Sequence, residues 1–326
     1  MDSNCDFFDI KSEKDFEKLA LDTFYYQYNN NNVYNTWCKL TNTTEISSIN
    51  DISFLPISFF KTHKITSKQN IQEEDFFLSS GTTSMQRSRH NVYSKNLYIK
   101  NTFDCFSQFY GDVSQYCYLC LLPNYLEQQH SSLICMMNAF IGKSRYKQSG
   151  FFKDDLQKVT DILESNEESG IKTVLFGVTY ALLDLIEQKK FHLQHTTVFE
   201  TGGMKGRRKE MAKSELHNVL KQGFGVENIH SEYGMCELFS QAYSLGGGRF
   251  ATPKQMKVFI KETNDYKSKN LYNRSGIINI IDLANRDTCS FIQTEDIGRQ
   301  SEDGCFEIIG RLDHSALRGC NLMYNG

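Results

Sequence analysis

Several features are missing from this sequence, and each absence excludes a class of protein. No apolar stretch approaches the roughly 18–20 residues that cross a membrane as a helix. The first residues, Met1-Asp-Ser-Asn-Cys-Asp, are polar and acidic, so they do not resemble a secretory signal. The net charge is −3 and the pI is near 6.3, so no basic field indicates a nucleic-acid partner. We therefore expect a cytoplasmic protein with no membrane span and no nucleic-acid partner.

The ten cysteines are numerous, but they lack the arrangement of a zinc site. Cys117 and Cys120 have the spacing of metal ligands, yet no second pair follows. Their surroundings, Tyr116-Cys-Tyr-Leu-Cys-Leu-Leu122, are typical of a buried strand. Because no secretory signal is present, we expect these cysteines to be reduced, as in a cytosolic protein.

The composition is that of a globular protein, and the order of its patterns predicts an α/β fold. The chain has 326 residues, of which 40% are hydrophobic and 23% charged. Alternating helices and strands from residue 150 onward indicate a sheet with parallel pairs, whose ligands bind beyond the carboxyl ends of the strands. Helices are predicted at 11–28 and at about 95–110, 131–141, 153–165, 180–188 and 208–222. An asparagine-rich run over 28–35 is expected to end the first helix, and Gly223 is expected to end the last. Before residue 246, strands are predicted at 91–93, 117–122, 172–176 and 196–200.

After Gly246-Gly-Gly-Arg249 the pattern changes to short strands, predicted at 256–261, 276–282, 289–293 and 305–309. This change predicts a β-rich subdomain over about 246–310. The domain organisation that we predict is a helical lead-in over residues 1–50, a large domain over 51–310 and a tail over 311–326.

A hydroxyl-rich stretch, Ser79-Ser-Gly-Thr-Thr-Ser84, follows the apolar and acidic segment Glu74-Asp-Phe-Phe-Leu78. Gly81 lets the backbone approach a ligand closely, while hydroxyls, main-chain N–H groups and Arg87 suit the oxygens of a polyphosphate. The spacing is not that of a Walker A loop. The alternative is a Ser/Thr-rich surface turn, with Arg89 and His90 at the start of the next strand.

Two motifs with glycine follow predicted strands. Gly202 and Gly203 occupy a strand-to-helix turn, where a flat ring could lie against the backbone, although such a pair also makes an ordinary turn. In Tyr233-Gly-Met-Cys-Glu237, the tyrosine ring can stack on a base and Gly234 permits close approach. Glu237 can bind Mg²⁺ through oxygen.

Two charged motifs occur towards the C-terminus. Asp296, in Thr294-Glu-Asp-Ile-Gly298, could accept hydrogen bonds from two ribose hydroxyls, or it could belong to an acidic turn that ends a strand. Arg311 follows a predicted strand, and Asp313 suits a hinge or a cap. Cys320 is either incidental or a nucleophile.

In this order and spacing, the motifs resemble those of the adenylate-forming ligase superfamily. Within it, the chain is most similar to acyl-protein synthetases of the LuxE type. Two segments carry this closer resemblance, Pro123-Asn-Tyr-Leu-Glu-Gln-Gln-His-Ser-Ser-Leu133 and Arg318-Gly-Cys-Asn-Leu-Met323. The resemblance extends from about Ile52 to the C-terminus. It implies the large domain of these ligases, with mixed α/β sheets, packed helices and a β-rich subdomain. Because the chain ends soon after Asp313, we expect it to lack their small C-terminal domain.

The resemblance implies ATP and Mg²⁺ as cofactors and a role for each motif. Residues implied to bind the ATP phosphates are Ser79, Ser80, Gly81, Thr82, Thr83, Ser84 and Arg87. Residues implied to bind adenine and ribose are Gly202, Gly203, Tyr233, Gly234, Asp296 and Arg311, with Arg311 also catalytic and Glu237 as the Mg²⁺ ligand. Ser84 stands where many members have glycine and Arg87 where many have lysine, but both retain hydrogen-bond donors.

The implied reaction is activation of a fatty or aryl carboxylic acid as an acyl adenylate, with release of pyrophosphate. A carboxylate is already a nucleophile at neutral pH, so the protein mainly positions it, neutralises phosphate charge and excludes water. By resemblance, the thiolate of Cys320 then forms an acyl-enzyme thioester, which is passed to a partner such as a reductase or an acyltransferase.

Two other functions fit the same motifs. The first is a ligase like the phenylacetate-CoA ligases, which passes its adenylate to CoA or to a separate acceptor; CoA-dependent release of AMP would identify it. The second is a non-catalytic nucleotide-binding scaffold, which would bind ATP without pyrophosphate exchange. His130 is interpreted either as a polar group near the substrate carboxylate or as a loop histidine bonded to nearby backbone.

Overall fold

The computed structural model describes residues 6–80, 86–123, 127–202, 211–262 and 268–312. Its helices in these ranges are α1 Glu13–Asn30, α2 Asn32–Leu40, α3 Phe59–Thr62, α4 Lys95–Tyr110, α5 Ser132–Lys143, α6 Leu156–Glu168, α7 Thr179–Gln188 and α8 Lys213–Phe224. Its strands are β1 Leu55–Pro56, β2 Asp75–Leu78, β3 Arg89–Val92, β4 Cys117–Leu121, β5 Gly150–Phe151, β6 Thr173–Gly177, β7 Thr196–Glu200, β8 His230–Tyr233, β9 Ala242–Ser244, β10 Arg249–Ala251, β11 Met256–Lys261, β12 Ser275–Asp282, β13 Phe291–Gln300 and β14 Phe306–Arg311. None of these helices combines the length and apolar character that a bilayer crossing needs.

One mixed sheet organises the described part of the chain. Twelve of the described strands belong to it, in the order β11-β12-β13-β14-β10-β9-β8-β7-β6-β4-β5, with β1 parallel to β13. Neighbours from β5 to β8 are parallel, and those from β8 to β11 are antiparallel. The predicted α/β architecture with parallel pairs is therefore confirmed, and so is the β-rich part that follows it.

Helices cover both faces of the parallel part because successive side chains of a strand point to opposite faces. In β4, Cys117, Leu119 and Leu121 pack with α6, α7 and α8, whereas Tyr118 and Cys120 pack with α4 and α5. Both cysteines of the predicted pair are thus buried on opposite faces of one strand. A shared metal ion is excluded by this geometry, in agreement with the sequence interpretation.

The asparagine-rich run was expected to break the first helix, but it joins two helices instead. Asn31 alone separates α1 from α2 and caps α2, since its side-chain oxygen accepts a hydrogen bond from the main-chain N–H of Tyr34 at 3.0 Å. Its amide nitrogen donates to the carbonyl of Thr288 at 2.9 Å. The junction is thereby fixed to the β-rich part of the sheet.

Gly223 does not end α8, contrary to the prediction. A β-carbon at this position would lie 2.6 Å from Ile186 Cδ1, so Gly223 lets α8 pack closely on α7. The helix ends one residue later, and Gly225 adopts the left-handed conformation with φ of 66°. Two glycines so close in sequence have different roles, one in packing and one in capping.

The acidic motif Thr294–Gly298 lies within β13 and does not end a strand, so that alternative was wrong. The strand continues because β12 and β14 pair with it on both sides, with register shifts near the motif. The hydroxyl of Thr294 donates to the carbonyl of Ile278 at 2.9 Å and accepts from the N–H of Asp296 at 3.0 Å. These bonds satisfy main-chain groups where the ladder is irregular.

Candidate active site

The hydroxyl-rich loop connects the two strands of a separate hairpin, β2 and β3, in which Leu78 pairs with Arg89. At its stem, the N–H of Ser79 donates to the carbonyl of Ser88 at 3.1 Å, and the N–H of Ser88 donates to Ser79 Oγ at 3.0 Å. Ser80 is exposed at the entrance to the loop. Gly81, Thr82, Thr83 and Ser84 lie outside the described residues, so their phosphate-binding role stays a prediction.

The two arginines after the loop make different contacts. Arg87 is exposed, and its Nε donates to the carbonyl of Ser79 at 2.6 Å, which closes the stem. The guanidinium of Arg89 pairs with Glu73 at 3.1 Å and lies 3.7 Å from the centre of the Phe76 ring. Arg89 is therefore held against its own hairpin, whereas Arg87 closes the stem, and its phosphate-binding role stays a prediction.

His90 connects this hairpin to the segment that carries Glu237, a link that the sequence analysis missed. Its buried Nδ1 lies 2.6 Å from the carbonyl of Cys236, and because a carbonyl only accepts, Nδ1 is the donor. Its Nε2 lies 2.7 Å from the hydroxyl oxygen of Thr288 and 2.9 Å from Asn285 Oδ1. Burial lowers the pKa of His90 to about 4, against the opposing effect of its hydrogen bonds, so the ring is neutral at pH 7.

Glu237 is itself buried, and its backbone is fixed by Asn285, whose amide donates to the Glu237 carbonyl at 2.7 Å. In the described part of the chain, no three His, Cys, Asp or Glu side chains form a metal-binding group. A single carboxylate nevertheless fits Mg²⁺, which usually keeps several waters and takes other ligands from substrate phosphates. The donor set is thus compatible with a nucleotide-bound Mg²⁺ ion.

The structure brings together three residues that are far apart in the sequence, Tyr233, Asp296 and Arg311. The hydroxyl of Tyr233 donates to Asp296 Oδ2 at 2.9 Å, and Asp296 pairs with Arg311 in the β13–β14 ladder. Arg311 Nε lies 4.0 Å from Asp296 Oδ1, and its Nη2 donates to Glu295 at 3.1 Å. Burial raises the pKa of Asp296 although the Tyr233 hydroxyl and the Arg311 charge oppose this shift.

The ring of Tyr233 is largely buried, with 7% of the residue exposed. It packs against Phe250 and Phe306, with ring centres 5.9 and 5.5 Å away. The structure shows the contact of Tyr233 with Asp296, whereas the stacking of its ring on a base stays a prediction.

The glycine turn after β7 is held by Glu200, a residue that the sequence analysis did not assign. The carboxylate accepts hydrogen bonds from the N–H of Gly202 at 2.6 Å and from the hydroxyl of Thr179. The N–H of Thr179 in turn donates to the carbonyl of Gly202 at 3.1 Å, and Gly202 has a φ of 76°. Gly203 lies outside the described residues. An acidic residue directly before a glycine pair was the signal that could have identified Glu200.

Glu200 is buried but remains ionised. Burial alone raises its pKa, yet the side chains of His217 and Thr179 and the charge of Lys213 outweigh that effect, so the pKa is lowered. His217 Nε2 is buried 3.8 Å from the carboxylate. Because β7 and β8 are parallel and pair Glu200 with Ser231, the Gly202 turn and Tyr233 lie at the same edge of the sheet.

His130 lies against the hairpin that carries the loop. Its ring stacks on Phe76 with centres 4.0 Å apart, and its carbonyl accepts a hydrogen bond from the N–H of Leu78 at 2.8 Å. Its Nδ1 lies 3.2 Å from the Phe76 carbonyl and 3.7 Å from Asp75. The histidine thus contacts backbone, but that of the distant β2 strand and not the local backbone that the sequence interpretation expected.

Solved structures with a similar fold identify the architecture that produces this arrangement. ATP-bound MatB from Rhodopseudomonas palustris matches with a TM-score of 0.54 and 16% identity, over 72% of this chain and 47% of MatB. A 2-hydroxyisobutyryl-CoA ligase in complex with 2-HIB-AMP and CoA matches with a TM-score of 0.66 and 9% identity, over 93% of this chain and 75% of the ligase. The chain has the fold of the adenylate-forming ligases. The predicted fold is therefore confirmed.

The family comparison supports the closer resemblance over part of the chain. Residues 5–116 match the family described as "Acyl-protein synthetase, LuxE". This match begins before Ile52, where we placed the start of the resemblance, and ends before the segments 123–133 and 318–323. No curated protein matches the chain. The chain spans about half the length of MatB, so activity, substrate and partners belong to the proposal that follows.

Proposed function

We propose that this protein uses ATP to activate a carboxylic acid as an acyl adenylate. The observation that carries the proposal is the contact of Tyr233, Asp296 and Arg311, three motif residues from separate strands. They meet at one edge of the sheet, beside the Gly202 turn. An adenylate-forming ligase needs this set of groups in one place to hold a nucleotide.

The nucleotide would lie between the sheet edge and the hairpin loop. Gly202, Gly203, Tyr233 and Gly234 would border the adenine, and Asp296 would accept hydrogen bonds from the ribose hydroxyls. The loop from Ser79 to Ser84, with Arg87, would hold the phosphates. His90 ties the hairpin to the Cys236 carbonyl, so the phosphate-binding and metal-binding segments would be positioned together.

In the reaction, a carboxylate oxygen of the acid attacks the α-phosphorus of ATP. The bond from this phosphorus to the bridging oxygen breaks, and pyrophosphate leaves with that electron pair. Bound Mg²⁺, held by Glu237 and the phosphates, would neutralise negative charge. Arg311 is exposed beside Asp296, where its guanidinium can reach the ribose or the α-phosphate.

The acyl adenylate would then react within the same chain. The thiolate of Cys320 would attack the acyl carbon, forming a thioester and releasing AMP. A partner protein, such as a reductase or an acyltransferase, would accept the acyl group. Cys320 lies outside the described residues, and its assignment rests on the resemblance.

Acid-dependent exchange of labelled pyrophosphate into ATP tests the first step directly. We expect exchange that requires Mg²⁺ and one member of a pool of fatty, hydroxy, amino and aryl acids. CoA added to the same reaction should not increase release of AMP if the acceptor is the protein itself. Binding of ATP without exchange for any acid would contradict the proposal and support a non-catalytic scaffold.

Glu200→Gln is expected to raise the KM for ATP by about tenfold and to weaken discrimination between ATP and GTP, with the KM for the acid unchanged. Gly202 and Thr179 both donate to Oε1, whereas the other oxygen, Oε2, lies 3.8 Å from His217 Nε2. The amide removes the charge that faces His217 and Lys213 and can place its own donor towards His217, which should displace the Gly202 turn. Because the pKa of Glu200 is lowered in the fold, the ionised form also stabilises the protein above the unfolded pKa. Some loss of thermal stability should therefore accompany the change in KM at neutral pH.

Glu167→Gln is the matched control for this loss of stability. Glu167 accepts from the N–H of Gln194 at 2.7 Å and from the Thr196 hydroxyl at 2.6 Å, at the opposite end of β7. We expect lower thermal stability in this variant with an unchanged KM for ATP. Equal changes of KM in both variants would show that Glu200 acts only through general stability.

A further inference from the structure

A group of buried polar atoms on the β8–β9 hairpin has no role in the proposed nucleotide site. Glu232 pairs with Tyr243 in the register, so their side chains lie on the same face. Gly234 and Gln241 follow on that face. A β-carbon at Gly234 would overlap Glu232 Oε1 and would lie 3.4 Å from Gln241 Cγ. We call Glu232, Gln241 and Tyr243 the hairpin polar cluster.

The atoms of this cluster lack the partners that buried polar groups normally have. Tyr243 is 1% exposed and Gln241 4%, and neither Tyr243 Oη nor Gln241 Oε1 has a hydrogen-bond partner. A buried polar atom without a partner costs about 1–3 kcal/mol, so two at one place indicate that a ligand or water completes them.

The cluster is open to solvent only at Glu232, which remains partly exposed. Burial nevertheless raises the pKa of this carboxyl to about 7. Its charge also contributes to raising the pKa of Tyr98. The hydroxyl of Tyr98 donates to the carbonyl of Ser132, the first residue of α5, at 2.9 Å.

The hairpin polar cluster lies on the face of β8 opposite to the contact between Tyr233 and Asp296. Tyr233 points to the other face of β8, where its hydroxyl meets Asp296. Glu232 lies on the opposite face, and its carboxylate packs closely against Gly234, where a β-carbon would overlap Oε1. A substrate acid approaching the α-phosphate from this side would place its distal part over the cluster.

We propose that the hairpin polar cluster recognises a hydrogen-bond donor on the acyl part of the substrate, so that the acid carries a hydroxyl or an ammonium group. This inference rests on the proposed function. Two acceptors, the Glu232 carboxylate and Gln241 Oε1, and the Tyr243 hydroxyl suit either donor. A plain hydrocarbon chain would instead cover three polar atoms without satisfying them.

Matched acids test the inference in the pyrophosphate-exchange reaction. We would compare butyric, 3-hydroxybutyric and 3-aminobutyric acids, and hexanoic, 6-hydroxyhexanoic and 6-aminohexanoic acids. In at least one series, kcat/KM for an acid with a donor should exceed that for the unsubstituted acid by about tenfold or more. The better of the hydroxy and amino acids identifies the donor.

Glu232→Leu and Tyr243→Phe should abolish this preference and leave exchange with unsubstituted acids equal or faster. Glu302→Gln, at an exposed loop position, is the control and should retain the preference. The inference would be overturned if the wild type preferred unsubstituted acids, or if Glu232→Leu kept the preference for acids with a hydroxyl or ammonium group. The proposed function would stand in either case. Absence of exchange with every acid would instead overturn the proposed function itself.

Discussion

Asp296→Asn is expected to lower kcat/KM for ATP in acid-dependent pyrophosphate exchange by about a hundredfold or more. One carboxylate oxygen of Asp296 already accepts from Tyr233, and the other lies near Arg311. The carboxylate can bind two ribose hydroxyls only while both oxygens accept hydrogen bonds. The amide loses the charge and turns a donor towards Tyr233 or the ribose. Hydrogen bonds to charged groups contribute about 1.5–3 kcal/mol each, which gives this magnitude.

Thermal unfolding separates this loss of activity from a loss of structure. Because burial raises the pKa of Asp296 in the fold, its ionised form is accommodated less well there than in the unfolded chain. This destabilising contribution is present above the folded pKa and disappears as the pH falls. Removing the charge should therefore leave the unfolding temperature at neutral pH unchanged or slightly higher.

Two variants serve as comparisons for Asp296→Asn. Tyr233→Phe removes the hydroxyl that orients the carboxylate and should reduce kcat/KM less, by about tenfold. Asp303→Asn changes an exposed carboxylate of the same β13–β14 hairpin, which pairs with Arg249 at 2.7 Å, and should stay close to the wild type. Normal exchange in Asp296→Asn would refute the ribose-binding assignment.

The parts of the site that could be predicted from sequence are those that local patterns encode. Strand β7 was predicted with its observed bounds, and Tyr233, Asp296 and Arg311 were singled out by residue type and order. Their mutual contact required the three-dimensional fold, because β10 and β9 lie between β14 and β8 in the strand order of the sheet. Sequence spacing alone could not place the Tyr233 hydroxyl on Asp296.

Other features depend on packing that no local pattern encodes. Gly223 has the sequence context of a helix end, yet the nearby side chain of Ile186 decides its role. His90 was taken as the start of a strand, whereas its partners Cys236 and Thr288 come from distant segments. Glu232 was not assigned because an acidic residue before Tyr233 is unremarkable until its pairing with Tyr243 is known.

The second large effect that we expect is the complete loss of protein acylation when Cys320 is replaced by serine. Reaction as a nucleophile requires a thiolate, so a buried thiol with a raised pKa is a poor candidate. Seven described cysteines are buried, and burial raises the pKa of each; for example, Cys135 has a pKa of about 11 and Cys38 of about 12. Burial also raises the pKa of Cys305, which is only partly buried. The described cysteines therefore offer little competition for an acyl group.

Intact-protein mass after incubation with Mg-ATP and the acid pool is expected to show one acyl increment in the wild type. Hydroxylamine should remove this increment, because it cleaves thioesters, and the mass should identify the acid. Cys320→Ser should show no increment while it retains pyrophosphate exchange, since adenylation precedes thioester formation.

Cys305→Ser and Cys5→Ser are the controls, and both should keep the increment. The first removes the most accessible described thiol, and the second removes a thiol that, like Cys320, lies outside the described residues. An increment that persists in Cys320→Ser but disappears in either control would assign the nucleophile to that other cysteine. Release of pyrophosphate without an increment in the wild type would mean that the adenylate passes to an external acceptor, and CoA would be the first to test.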